Sequence, residues 1–244
     1  MSKIDVLLSG LKIRIEHCYN YMPEFCKNYL FDFDTPDITA KTDELSVLNE
    51  KKSVPTAPIE VCESLCIYRN IAEQLPLFKR FVFHGAAIEH GGNAYLFTAP
   101  SGTGKTTHIS LWKKYLGDSV RFINGDKPII NATNHPVACG TPWAGKEGYQ
   151  SNISAPLKAV CVLKQAKTNR IAPITKSEAI SYLMRQAYMP KDPVSLSNTL
   201  SLIGRVIEST PIFLLECDIS EQAFRLSYET LTGIKGTDAC LKTT

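Results

Sequence analysis

Ala99-Pro-Ser-Gly-Thr-Gly-Lys-Thr106 is the segment of this chain whose residue types and spacing speak most directly of chemistry. It fits the phosphate-loop pattern G-x-x-x-x-G-K-[ST], with Ala99 at the first glycine position. Small residues let the backbone curl until successive N–H groups point at phosphate oxygens, and a following helix adds its positive end. Ser101, Gly102, Thr103, Gly104, Lys105, Thr106 and Thr107 are therefore the candidate nucleotide-binding residues. In that reading Lys105 reaches the β- and γ-phosphates and the Thr106 hydroxyl ligates Mg²⁺. A phosphate loop specifies a nucleotide and leaves the reaction open. Asn124-Gly-Asp-Lys127 follows too soon, and in the wrong order, to be the guanine motif N-K-x-D of a GTPase.

Local patterns predict the elements that must hold this loop. Ala94–Thr98 reads as the entering strand and 105–116 as the leaving helix. Phe81–Phe83 and Ala86–Ile88 read as strands, and Gly91-Gly92-Asn93 as a hairpin turn. Further strands are expected near 121–124, 128–131, 157–163 and 212–217, and helices over 176–187, 196–208 and 220–232. Before residue 76 the signals weaken. Leu11–Ile15 alternates as a strand, Tyr19–Tyr29 suits a short helix, and 38–52 is weakly patterned. Ile59–Leu75 suits a helix burying Ile59, Cys62, Leu65, Cys66, Ile71 and Leu75 and stopping at Pro76. The tail is expected to fray. The expected division is a small N-terminal α/β part over 1–75 and a catalytic core over 76–244. The expected fold class is mixed α/β, more β-rich than a doubly wound sheet because it contains hairpins.

Composition narrows the function classes. The chain has 244 residues and a net charge of +3, from 27 basic and 24 acidic residues, too balanced for a nucleic-acid or membrane-surface partner. No apolar run reaches the ~18 residues that span a bilayer, and the N-terminus lacks a secretory apolar core. A cytoplasmic location follows as an expectation. The eight cysteines, Cys240 the last, then read as reduced thiols rather than a disulfide scaffold.

Three stretches beside the loop narrow it further: Phe83-His84-Gly85, Ile123-Asn-Gly-Asp-Lys-Pro128, and Gly140-Thr-Pro-Trp-Ala-Gly-Lys146. Their order over about residues 60 to 217 resembles the catalytic domain of HPr kinase/phosphorylase and its small relatives, of the phosphoenolpyruvate carboxykinase superfamily. The resemblance implies a fold of that type, with ATP or another nucleoside triphosphate and Mg²⁺ as cofactors. It implies transfer of a γ-phosphoryl group to a serine or threonine hydroxyl of a peptide, a protein or free serine. Small relatives in gene clusters that modify ribosomal peptides make a peptide acceptor attractive, and the related kinases being oligomers admits a homo-oligomer.

Catalytic roles carried over by position fall on His84, Lys105 and Asp126. His84 would sit near the transferred phosphate, unless it is only a satisfied strand histidine. Asp126, with Thr106, would hold the metal. The family usually has two adjacent acids there, and this chain has Gly125-Asp126. Asp126 is then the metal carboxylate with the base position empty, or, with a one-residue slip, the base itself. Lys127 orients phosphate, pairs with Asp126 or is solvated. Trp143 and Lys146 would line the substrate rim, or Trp143 is a packed anchor. Glu147 is a weaker candidate for a second metal ligand. Arg185 is the best late cation, although a helix-surface position suits it better. The missing acid keeps a second reading open: a nucleotide-dependent regulatory or interaction module with reduced catalysis.

Overall fold

The computed structural model describes residues 2–234, which form a mixed α/β fold. Cys240 and most of the expected frayed tail lie outside the described residues. Strands β1 (Ser2–Leu8) and β2 (Leu11–His17) make a hairpin through Ser9 and Gly10, and β3 (Ile38–Ala40) joins β2 in parallel. Helices α1 (Tyr21–Phe25), α2 (Glu44–Ser53) and α3 (Ile59–Gln74) accompany this small sheet. The weakly patterned stretch 38–52 thus contains a strand and a helix. Asp43 starts α2 by accepting from the Ser46 N–H, while α2 itself has one buried residue, Val47, too little periodicity to be read.

The large sheet holds β4 (Arg80–Val82), β5 (Ala86–His90), β6 (Asn93–Thr98), β7 (Val120–Asn124), β8 (Ile129–Asn131), β9 (Val137–Cys139), β10 (Ser154–Gln165), β11 (Arg170–Pro173) and β12 (Ile212–Cys217). Its order is β4-β8-β9-β10-β6-β5-β7, with β12 also on β10 and β11 beyond it. Strand β10 is the seam. Its first residues pair antiparallel with β9, and its later ones pair in parallel with β6 and with β12. Strands β9 and β11 were not foreseen; β9 is three residues long, and β11 has two exposed and two partly buried residues.

Alternate residues of the central strands serve two cores. Ala87, Leu96, Val160 and Val162 pack toward α5 (Lys176–Gln186) and α6 (Pro193–Ser209). Ile88, Tyr95, Phe97 and Cys161 pack toward α4 (Lys105–Leu116) and α7 (Glu221–Thr232). Coverage on both faces is why Ala159–Leu163 reads as an unbroken apolar run. A third core joins the small sheet and α3 to Val82, Ile129, Cys139 and Trp143. The buried face of α3 overlaps the expected one in part: Cys62, Ile71 and Leu75 are buried as expected, Ser64, Ile67 and Tyr68 are buried beside them, and Ile59, Leu65 and Cys66 are only partly so. The α-helix ends at Gln74, just before Pro76 as expected, and the chain continues as a separate 3-10 turn over Leu75–Phe78, where Pro suits the first turn. Among the described residues the seven cysteines are unpaired, and no helix is long and apolar enough to cross a membrane.

Helix α4 is fixed from behind by one hydroxyl. Ser227 Oγ donates to Phe224 O at 2.8 Å, which spends its only proton. It therefore accepts from Trp112 Nε1 and from His108 Nε2, each at 3.0 Å. Burial pushes the His108 pKa down to about 4, so the ring is neutral near pH 7 with its proton on Nε2. Ser227→Ala would strand two buried N–H groups. The expected loss is about 2–4 kcal/mol of stability, read as a lower urea midpoint at unchanged slope.

Candidate functional site

Sheet direction gathers the site. Strands β6 and β7 both run antiparallel to β5, which lies between them, so they end at the edge where β5 begins. Thr98 leads into the phosphate loop at that edge, Asn124 leads into Gly125-Asp126, and His84 precedes β5. Strands β10 and β12, parallel to β6, end there too.

The loop has the conformation its sequence calls for. Gly102 and Gly104 take φ of 79° and 105°, with open space where a Cβ would stand. Among the described non-glycine residues only Ser9 and Lys79 have positive φ, so Ala99 meets the bend without strain. Helix α4 starts at Gly104 with no side-chain cap, leaving its first-turn N–H groups free of any side-chain acceptor. That is the donor arrangement an anion requires. Lys105 is buried and donates to Ala99 O at 2.9 Å and Pro100 O at 3.4 Å. Burial lowers its pKa, and Asp126 pulls the other way.

His84 is held at four points. Its N–H donates to Gln186 O at 2.7 Å, and its carbonyl accepts from Thr98 Oγ1 at 2.9 Å. Its ring places Nδ1 2.8 Å from Gln186 Oε1 and Nε2 3.3 Å from Asp126 Oδ1. Gly85 beside it admits no Cβ, which would lie 2.9 Å from Leu96 and 3.0 Å from Phe97 O. Its N–H instead reaches Asp126 O at 3.0 Å.

Asn124 organises the acidic turn and was not singled out from sequence, although an Asn before Gly is a turn signal. It is fully buried, and its Oδ1 accepts from Asp126 N at 2.8 Å and Lys127 N at 2.6 Å. Its Nδ2 donates to Thr141 O at 2.9 Å. The Asp126 carboxylate meets Lys127 Nζ as well as His84. Burial would raise its pKa, but His84 and Lys127 outweigh that and hold it at about 2. Lys127 lies over the Tyr68 ring at 5.8 Å, so α3 stands directly behind the turn.

The stretch 140–149 divides in two. Trp143 turns inward: it is 6% exposed, donates to Ser64 O at 3.2 Å and packs against Phe25 and Tyr68. The expected rim residue is an anchor for the N-terminal elements. Lys146 and Glu147 are exposed and border the hollow. Between them and the sheet, Gly125 is closely covered. A Cβ there would lie 3.1 Å from Ala144 O and 3.3 Å from Tyr149 Cβ. A side chain at the place of a second acid would press on the 144–149 segment.

His84, Lys105, Thr106, Asp126 and Lys146 thus line one hollow of about 490 Å³, together with Ser101, Gly102, Gly104 and Thr107. Thr103 lies on its flank and lines the two neighbouring hollows, while Lys127 reaches it through Asp126. Among the described residues no group of three or more His, Cys, Asp or Glu could hold a metal alone. One carboxylate and one hydroxyl suit a hard cation that keeps water and shares phosphate oxygens, as Mg²⁺ does.

Two outcomes are expected. Folding lowers the Asp126 pKa, so its contribution is complete above about pH 4 and disappears as pH falls through about 2. Asp126→Asn should accordingly lie about 2 kcal/mol below the unaltered protein near pH 7, with the gap closing in acid unfolding curves. Gly125→Asp should fit only if Ala144 and Tyr149 move by a few tenths of an ångström, so a lower melting temperature is expected from that crowding.

Comparison with known proteins places this geometry in a family. No curated protein matches the chain. Among solved structures, the Hpr(Ser) kinase/phosphatase from Coxiella burnetii is similar over 62% of this chain and 93% of that one, at 11% identity and a TM-score of 0.35. Residues 47–222, which contain every residue of the hollow, match the family model described as SynChlorMet cassette protein ScmC. Since that match covers most of its length, the chain belongs to the ScmC family.

Proposed function

We propose that this protein is a kinase that uses a nucleoside triphosphate and Mg²⁺ to phosphorylate a serine or threonine hydroxyl. One observation carries the reading: Lys105, Thr106, Asp126 and His84 line the same hollow at the edge where β6 and β7 end. Backbone donors of the loop and the first turn of α4 would bind the phosphates. Lys105 would exchange its contacts with Ala99 O and Pro100 O for β- and γ-phosphate oxygens. Thr106 and Asp126 would hold Mg²⁺, which when bound neutralises charge on the phosphates.

In the transfer, the acceptor oxygen forms a bond to the γ-phosphorus as the bond from that phosphorus to the bridging oxygen breaks. The electron pair leaves on the nucleoside diphosphate, and the hydroxyl proton passes to water or to the transferred group. A carboxylate held at about 2 is a weak proton acceptor, so Asp126 suits the metal better than the base role. Such a reaction tolerates a missing base, because its transition state is loose and depends on positioning and charge. His84, fixed by Gln186 and Thr98, is placed to stabilise charge on the phosphoryl group.

The hollow favours a polypeptide acceptor over an enclosed metabolite. No residue before His84 lines it, so the N-terminal elements do not close it off. Gly125 in place of an acid is what a module with reduced catalysis would also show, and one experiment separates the readings. With labelled ATP and a panel of serine peptides, proteins and free serine, the unaltered chain should yield a phosphorylated product. Lys105→Ala should lose the product and bind nucleotide at least about tenfold more weakly. Nucleotide binding without transfer to any acceptor would sink the kinase reading and leave the module.

A further inference from the structure

Three hollows border the phosphate loop. The first is the chamber of His84, Lys105 and Asp126. Thr107 lines both that chamber and a second hollow of about 350 Å³, walled by Leu111, Leu163 and Ile219. A phosphate chain running from Lys105 past Thr107 enters it, so the second hollow suits the nucleoside. The third, of about 520 Å³, meets the chamber only at Ser101 and Gly102. Gln186 forms part of its wall and touches the His84 ring, so whatever occupies it emerges beside His84.

We infer that this third hollow docks the acceptor polypeptide and that Arg185 recognises an acidic side chain near the phosphorylated residue. The inference rests on the kinase reading above. The lining includes two cations, Lys164 and Arg185, and no carboxylate. Lys164 is already paired with Glu216 at 2.8 Å. Arg185 is exposed and has no ion pair or hydrogen bond among the described residues. A guanidinium fork matches a carboxylate with two parallel hydrogen bonds. Tyr182, 37% exposed, together with Val162 and Leu214 offers apolar contact for a neighbouring side chain of an extended segment. Capping at Thr175 holds the helix that presents Arg185: Thr175 bonds Glu178 reciprocally at the start of α5.

The test measures binding and transfer separately. Fluorescent serine peptides, each with one glutamate at a successive position on either side of the serine, are compared with a glutamine series. The protein is used full length, with a non-hydrolysable ATP analogue for binding and with labelled ATP for transfer, as the unaltered chain and as Arg185→Ala, Arg185→Lys and Arg185→Glu. At one glutamate position the unaltered chain should bind about tenfold tighter than to its glutamine counterpart, the size of one charge-assisted hydrogen bond. Arg185→Ala should bring the two to parity, Arg185→Lys should keep part of the preference, and Arg185→Glu should move it to a lysine peptide. Affinity for the analogue should not change. The inference is overturned if no position shows an acidic preference. It is equally overturned if Arg185→Ala weakens the analogue, which would give the hollow to the nucleotide. Acid-selective binding without phosphate transfer would count against the kinase reading and leave the docking site standing.

Discussion

Strand β5 lies between β6 and β7 and runs against both, and the site depends on that one arrangement. Backbone hydrogen bonding fixes the register, with Ala86 opposite Phe97 and Ala87 opposite Asn124. A shift of one residue would turn every side chain of β5 to the opposite face and exchange its two cores. The register therefore cannot drift, and His84 is held between the end of β6 and the end of β7. Gly85 makes the crossing possible, because the approach of Leu96 and Phe97 O excludes a Cβ. The edge that carries the hollow is thus set by sheet packing on both faces, where α4 and α7 oppose α5 and α6.

The second support is the buried Asn124. Its amide joins the acidic turn to the 140–149 stretch, and that stretch in turn occupies the space over Gly125. The same segment sends Trp143 into the N-terminal core. One loop consequently shapes the acidic turn on one side and anchors α3 on the other. Tyr68 of α3 completes the link by standing under Lys127. Residues before 75 reach the site from behind, through packing, while the front of the hollow stays clear of them.

Much of the site could be read directly. The loop, its entering strand and its leaving helix obey local rules of spacing, and the hairpin of β5 and β6 is announced by Gly91-Gly92. His84, Lys105, Thr106, Asp126 and Lys146 were singled out from motifs that kept their order along the chain. Errors fell where a residue has a different neighbour from the one its sequence context suggests. Trp143 sits among glycines and a proline, which suggests a surface loop, yet Ser64 and Phe25 receive it from distant parts of the chain. The periodicity of α3 places Cys62, Ile71 and Leu75 inside but misses Ser64, Ile67 and Tyr68, which packing against other segments buries. Asn124 and Gln186 are ordinary polar residues in sequence, and only their partners give them a role.

The sequence alone set the local chemistry: a loop able to present N–H groups, a lysine and a hydroxyl at its end, and one acid with glycine before it. These depend on backbone conformation and on neighbours within a few residues, where residue type is decisive. Distance lay beyond it. Whether His84 faces Asp126, how closely Gly125 is covered, and whether Arg185 overlooks a groove all follow from strand order and from contacts between segments some 20 to 100 residues apart. Such contacts come from burying several faces at once, and no local pattern records them.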